Sequence, residues 1–300
     1  MKSFTIIIPS FNSEKYISSC LDSLVNLEYD HDLIEVLVID DGSTDKTKDI
    51  VKEYTWKYSF IKYFKKENNH WGSVINYVKN NKLATFDYIS ILDSDDQLTT
   101  KSLIILNDLS EKENSDLLVG SFRKWDGVKL RKKIYPYFFL FKRTLHNKKQ
   151  MNTPFCLPLI FFSKNEVFYK LNDLSEKMAY QDPDYLSQLV KNSNSLTFSN
   201  KTIGLYYFNR EGNSISEPWN KIRLMGEYNA CLKSIENGAQ EVVAFRLCQK
   251  NFRRILDSEN SDKFNVNRKF SFQWFPAYMR FFFTIIFWFK LRKYFTFNLK

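Results

Sequence analysis

The sequence predicts an α/β fold: a Rossmann-like, mostly parallel sheet with flanking helices. Three observations carry this expectation. Over residues 1–122, apolar runs alternate with segments of helical periodicity. The runs are continuously apolar rather than alternating in polarity, which suits strands buried on both faces. Three of the runs end in clusters of polar residues, and ligands in such sheets bind beyond the carboxyl ends of the strands.

Taken in order, "FTIIIPS" (4–10) is the first strand, and Tyr16, Ile17, Cys20, Leu21 and Leu24 recur behind it at helical spacing. "IEVLVID" (34–40) is a second strand. "DGST" then supplies a turn and a helix cap, with Ile50, Val51 and Tyr54 on the next helix face. "FIKYF" (60–64) is a third strand, 71–81 a helix, "DYISIL" (87–92) a fourth strand, 99–109 a helix and "DLLVGSF" (116–122) a fifth strand. Beyond it the sequence predicts helices near 164–171 and 183–192, two short strands "SLTFS" and "IGLYYFN", and a helical pattern from about 217 to 257. The expected domains are a catalytic unit over 1–216, divided near residue 122, and a helical region over 217–300.

Composition sets limits on function. A net charge of +10 favours acidic partners: nucleic acid, anionic lipid or phosphorylated substrates. No nucleic-acid-binding motif is present, and that class would leave the acidic clusters without a role. The four cysteines, Cys20, Cys156, Cys231 and Cys248, are scattered without a CxxC, which suits reduced thiols in a cytoplasmic protein. His31, His70 and His146 are equally dispersed, so a zinc site is not expected.

The polar clusters carry the chemistry. "LDSDD" places Asp93, Asp95 and Asp96 within four positions behind an apolar run. Like charges so close call for a cation or a solvated turn. Hard oxygen donors suit Mg²⁺ or Mn²⁺, which share their shell with substrate phosphates. A DxDx[TV] phosphatase motif would need Thr or Val where Gln97 stands. Asp40 and Asp41 end another strand before Gly42. Asp41 and Ser43 are helix-cap candidates, whereas Asp40, at the strand end itself, can accept a hydrogen bond from a nucleobase N–H.

Together "TIIIPSFNSEKYISSCLDSL", "VLVIDDGSTDKT" and "YISILDSDDQL", in this order and spacing, resemble the family-2 glycosyltransferases of the GT-A fold. The match is strong over residues 3–98, weaker to about 216 and absent beyond. The resemblance implies a nucleotide-sugar donor, UDP-linked in this reading, a divalent metal and inversion at the anomeric carbon. Carried over by position, Pro9, Asn12 and Glu14 belong to the nucleotide pocket, with Asp40 and Asp41. Asp93 and Asp95 match the family's DxD, and Asp96 is a further metal or diphosphate contact. In "ENNHWGSVINYVKN", Asn76 matches the family, but Ile75 stands where an arginine is usual. His70 or a lysine would then supply the missing positive contact. Arg210, in "YYFNREGNSIS", is a diphosphate ligand by position, with Ser214 and Ser216 beside it.

Direct displacement also needs a carboxylate to take the acceptor's proton. "AYQDPDYLSQLV" offers Asp182 before Pro183, a residue favoured at a helix start, with Asp184 as the alternative. The departure at Ile75 keeps a second reading, an inactive nucleotide-sugar-binding partner of another transferase. The basic segment 123–149 is expected to receive a phosphorylated acceptor. The tail 263–300 has eight Lys or Arg and no acid, and its apolar run "FFFTIIFWF" falls short of the about 20 residues a membrane span requires. It fits a helix lying in anionic headgroups. The expected partners are therefore a nucleotide-sugar, a glycan or lipid-linked acceptor and the inner membrane face, with homo- or hetero-oligomers left open.

Overall fold

The computed structural model describes residues 1–134, 144–145, 157–177, 181–208 and 210, with isolated helical positions from 226 to 236. Strands β1 (Phe4–Ser10) and β2 (Ile34–Asp40) pair in parallel from Phe4–Ile34 to Ser10–Asp40, and every residue of both is buried. Between them, helix α1 (Ile17–Val25) turns Ile17, Cys20, Leu21 and Leu24 into the core, the face its periodicity predicts. Helix α2 (Thr47–Lys57) buries Val51 and leads to β3 (Ile61–Lys65), parallel to β2. Helix α3 (His70–Asn80) returns the chain to β4 (Tyr88–Ile91), which joins β1 on its other side, again in parallel.

The chain thus builds outward from β1 to β3, then crosses back to β4. The strand order β3-β2-β1-β4 reverses beside β1, and a crevice is expected at the carboxyl ends there.

The second half corrects the expectation of a mostly parallel sheet. After β5 (Gln97–Leu98), α4 (Ser102–Glu113), β6 (Leu117–Trp125), β7 (Leu130–Ile134) and β8 (Thr144–Leu145) comes β9 (Phe161–Lys164). It inserts antiparallel between β4 and β6, so the sheet is mixed. Helix α5 is shorter than predicted, Asn165–Phe168, and α6 spans Asp182–Asn192. The two short strands expected near 195–209 are one strand, β10 (Leu196–Tyr207), parallel to β6 with register shifts between Phe198 and Gly204. The polar "SNKT" reads as a turn, but the chain passes it as a bulge. Helix α4 starts at Ser102 and not at 99 because Thr99 N still donates to Ile203 O at 2.9 Å, continuing the pairing of Gln97 and Leu98 with β10. Among the described residues no helix is long and apolar enough to cross a membrane. The segment 217–300, apart from the isolated positions, and with it the tail 263–300, lies outside the described residues.

Candidate active site

Register places Ser10, Asp40 and Lys65 side by side at the carboxyl ends of β1, β2 and β3. The loops beyond are laced together. Asn12 takes a left-handed conformation, φ 47°; its N–H donates to Ser43 Oγ at 3.0 Å, and its Oδ1 accepts from Thr44 N at 2.9 Å. Glu14 accepts from Lys46 N at 3.0 Å, while its own N–H donates to Asp45 at 3.0 Å. Pro9 is buried in β1 opposite Ile39. Gly42 turns the chain at φ +84°, a conformation that strains side-chain-bearing residues, and a Cβ there would also sit a tight 3.1 Å from Asn68 N.

Asp40 is fully buried. Its Oδ1 accepts from Ser43 N at 2.7 Å, and its Oδ2 from the Tyr63 hydroxyl at 2.5 Å. Asp41 does not cap α2. Its Oδ1 accepts from Lys66 Nζ at 2.5 Å and from Asn69 N at 3.0 Å, tying β2 to the start of α3.

Across the strand-order reversal, the Ser13 and Ser94 hydroxyls meet at 2.8 Å, joining the loop after β1 to the acidic loop after β4. In that loop Asp96 N donates to Asp93 O at 2.9 Å, a tight turn that crowds the three carboxylates. Each has a donor from a different element. Trp71 Nε1 of α3 donates to Asp93 Oδ1 at 3.0 Å. Tyr207 N of β10 donates to Asp96 Oδ1 at 2.9 Å. The guanidinium of Arg210 pairs with Asp95, lying 5.7 Å from the centre of the Tyr16 ring. Tyr16 in turn meets Tyr207 edge-on at 5.8 Å.

Loss of water, then the charges of Asp95 and Asp182, push Asp93 up to about 7. Asp96 is raised well above the ordinary carboxylate range, by burial first and then by its two neighbours. Asp95 is raised by burial against the opposing pull of Arg210. Burial and mutual repulsion thus oppose ionisation of all three together, and a bound cation would favour the charged form.

Among the described residues no three His, Cys, Asp or Glu side chains are placed as a ready-made metal cage. The donor set nonetheless fits Mg²⁺ or Mn²⁺. Such ions are commonly held by one or two carboxylates, with substrate phosphates completing the shell, and Asp93 and Asp95 are partly exposed hard oxygen donors beyond the end of β4.

Helix α6 opens with Asp182 as its first helical residue behind Gln181, and Pro183 follows. The two aspartates of this turn differ in access. Asp184 is only 2 % exposed and accepts from Gln188 at 3.3 Å, whereas Asp182 is partly open and close enough to Asp93 to raise its pKa. Of the two, Asp182 is the accessible carboxylate. Asn76 uses its amide elsewhere: Nδ2 donates to Leu174 O and Oδ1 accepts from Leu174 N, both at 2.8 Å. Ile75, standing where the family usually has an arginine, is core, at 1 % exposure. Ser214 and Ser216 lie outside the described residues.

Sequence reasoning missed several members of this arrangement. Tyr63, Lys66 and Trp71 reach the acidic strand ends through packing that no spacing rule reveals. Phe11 had a legible signal: an aromatic residue inside a polar strand-end cluster, and it is half exposed.

A sheet of this topology, with buried carboxylates at its strand-order reversal, defines a GT-A-like fold. The chain belongs to glycosyl transferase family 2, whose model matches residues 5–171, and it is a glycosyltransferase. A protein of Mycoplasma pneumoniae described as an uncharacterized glycosyltransferase is 40% identical over 293 residues, 97% of each chain. TarS of Staphylococcus aureus, a poly(ribitol-phosphate) beta-N-acetylglucosaminyltransferase, is 26% identical over 226 residues, 73% of this chain and 38% of TarS. The crystal structure of TarS 1–349 in complex with UDP-GlcNAc aligns with a TM-score of 0.64 at 21% identity, covering 91% of this chain and 78% of that one. The mannosyltransferase PcManGT of Pyrobaculum calidifontis, in complex with GDP-Man and Mn²⁺, aligns with a TM-score of 0.59 at 18% identity, covering 85% and 70%.

Proposed function

We propose that this enzyme is an inverting, metal-dependent glycosyltransferase that moves a sugar from a UDP-linked donor to a glycan or lipid-linked acceptor of the cell surface. One observation carries the reading: a tight turn crowds Asp93, Asp95 and Asp96 at the strand-order reversal, each met by a donor from another part of the chain, with Asp182 partly open at the start of α6.

In this reading the uracil lies against the half-exposed Phe11, and Asp40, fully buried and bonded to Ser43 N and the Tyr63 hydroxyl, holds the floor of the base site from behind. Asn12, Glu14 and Asp41 shape the pocket by holding its loops. Asp95, with Asp93 or Asp96, would hold Mg²⁺ or Mn²⁺, which neutralises charge on the departing diphosphate. Arg210 supplies positive charge on the same side. Asp182 accepts the proton of the acceptor hydroxyl as that oxygen bonds to the anomeric carbon. The bond from that carbon to the diphosphate oxygen breaks on the opposite face, and the configuration inverts.

The acceptor would meet the β6–β7 hairpin, whose described part carries Arg123, Lys124, Lys129 and Arg131. This basic surface and the poly(ribitol-phosphate) acceptor in the TarS name both support a phosphate-bearing acceptor. Attachment through 263–300 to the inner membrane face belongs to the same proposal, on the composition of that tail alone.

The test is transfer from UDP-glucose and UDP-GlcNAc to poly(ribitol phosphate) and to a lipid-linked acceptor, with product configuration read by NMR. The expected product is a β-glycoside, formed with Mn²⁺ or Mg²⁺ and lost in EDTA. A retained α configuration, or turnover indifferent to EDTA, would contradict the proposal.

A further inference from the structure

We propose that Trp71 is a positioning residue that fixes Asp93 and, through the same corner of the fold, sets its distance from the helix bearing Asp182. The inference rests on the functional reading above and adds to it a residue that neither the family pattern nor the sequence motifs identify.

Three successive residues at the start of α3 shape this corner. His70 turns the chain at φ +66°, a conformation that side-chain-bearing residues adopt rarely. Trp71 then donates its indole N–H to Asp93 Oδ1 at 3.0 Å, and its ring meets Tyr185 of α6 edge-on, centroids 5.7 Å apart and planes at 79°. At Gly72 a Cβ would fall 1.8 Å from Gln181 Oε1 and 2.6 Å from Ser175 O, so only glycine lets α3 approach the residue immediately before Asp182 this closely. The corner is anchored on both flanks. Asn69 O accepts from Lys177 N at 3.0 Å, and the Asn76 amide bonds both backbone atoms of Leu174 at 2.8 Å.

One rigid corner thus touches the donor-side carboxylate and the first turn of the catalytic helix. Packing alone would accept any large apolar ring at position 71. The indole N–H gives more: a hydrogen bond to a carboxylate that is repelled by Asp95 and Asp182 and needs a fixed direction. Residues that orient ligating carboxylates in this way commonly matter about 10- to 100-fold for affinity.

The test compares wild type, Trp71→Phe and Trp71→His in the full chain by calorimetric titration with UDP in the presence of Mn²⁺, alongside melting temperature. Phe keeps a ring against Tyr185 but has no donor; His keeps a ring N–H. Trp71→Phe is expected to bind UDP about tenfold more weakly with little change in melting temperature, and Trp71→His to recover part of that loss. In an Asp93→Asn background the Trp71→Phe effect should shrink, because the two residues act as one unit. Unchanged UDP binding by a folded Trp71→Phe overturns the inference while leaving the functional reading intact. If Trp71→Phe does not fold, Trp71→His decides: a folded His variant that loses UDP binding as completely as Asp93→Asn overturns it. A wild type that binds no UDP overturns the functional reading and this inference with it.

Discussion

Asp182→Asn is expected to slow transfer by about 10²- to 10⁴-fold while UDP binding stays within about threefold of wild type. The amide keeps the size of the carboxylate and the start of α6, but it cannot accept the acceptor's proton. Two features single out Asp182: it is partly open to solvent at the first turn of α6, and its charge reaches Asp93. Asp184, two residues on, is buried and bonded to Gln188, so Asp184→Asn is a different experiment, one on the packing of α6. Steady-state kinetics with UDP-sugar, paired with calorimetry of UDP, separates the two effects. A parallel loss of turnover and UDP affinity in Asp182→Asn would move this residue from proton transfer to donor binding.

Asp95→Asn is expected to lower kcat/KM by about a hundredfold or more and to abolish the dependence of UDP binding on Mn²⁺. Asp95 is raised by burial yet paired with Arg210, so it is a carboxylate held ready beside a cation. Replacing it leaves Arg210 without that partner and removes a hard anionic donor, while the amide preserves volume at the tip of the loop. The measurement is initial rate against Mn²⁺ concentration for both proteins. Unaltered metal dependence in the variant would place the cation, or the need for one, elsewhere.

The first four strands and the helices between them were legible because continuous Val, Ile and Leu runs such as "IEVLVID" have no other stable place than a doubly covered sheet. The clusters at their ends were legible for a related reason: three aspartates in four positions are costly unless they serve a charge. What lay beyond was harder to read. β9 is a short apolar run that periodicity cannot orient, and its antiparallel insertion depends on long-range packing between β4 and β6. In β10 the exposed Asn200 and Lys201 imitate a turn and concealed one continuous strand. Trp71 was hidden because an indole hydrogen bond to Asp93 links residues that only the fold brings together. Ile75 read as a defect in a binding motif, whereas in the structure it is a buried core residue of α3.

Binding of a metal-held nucleotide at the strand-end carboxylates is read by calorimetric titration of the purified protein with UDP, GDP, CDP and dTDP, each with and without Mn²⁺. UDP is expected to bind tightest, and its binding to be lost when Mn²⁺ is removed. Binding of none of the four, or equal UDP affinity with and without Mn²⁺, would contradict this reading.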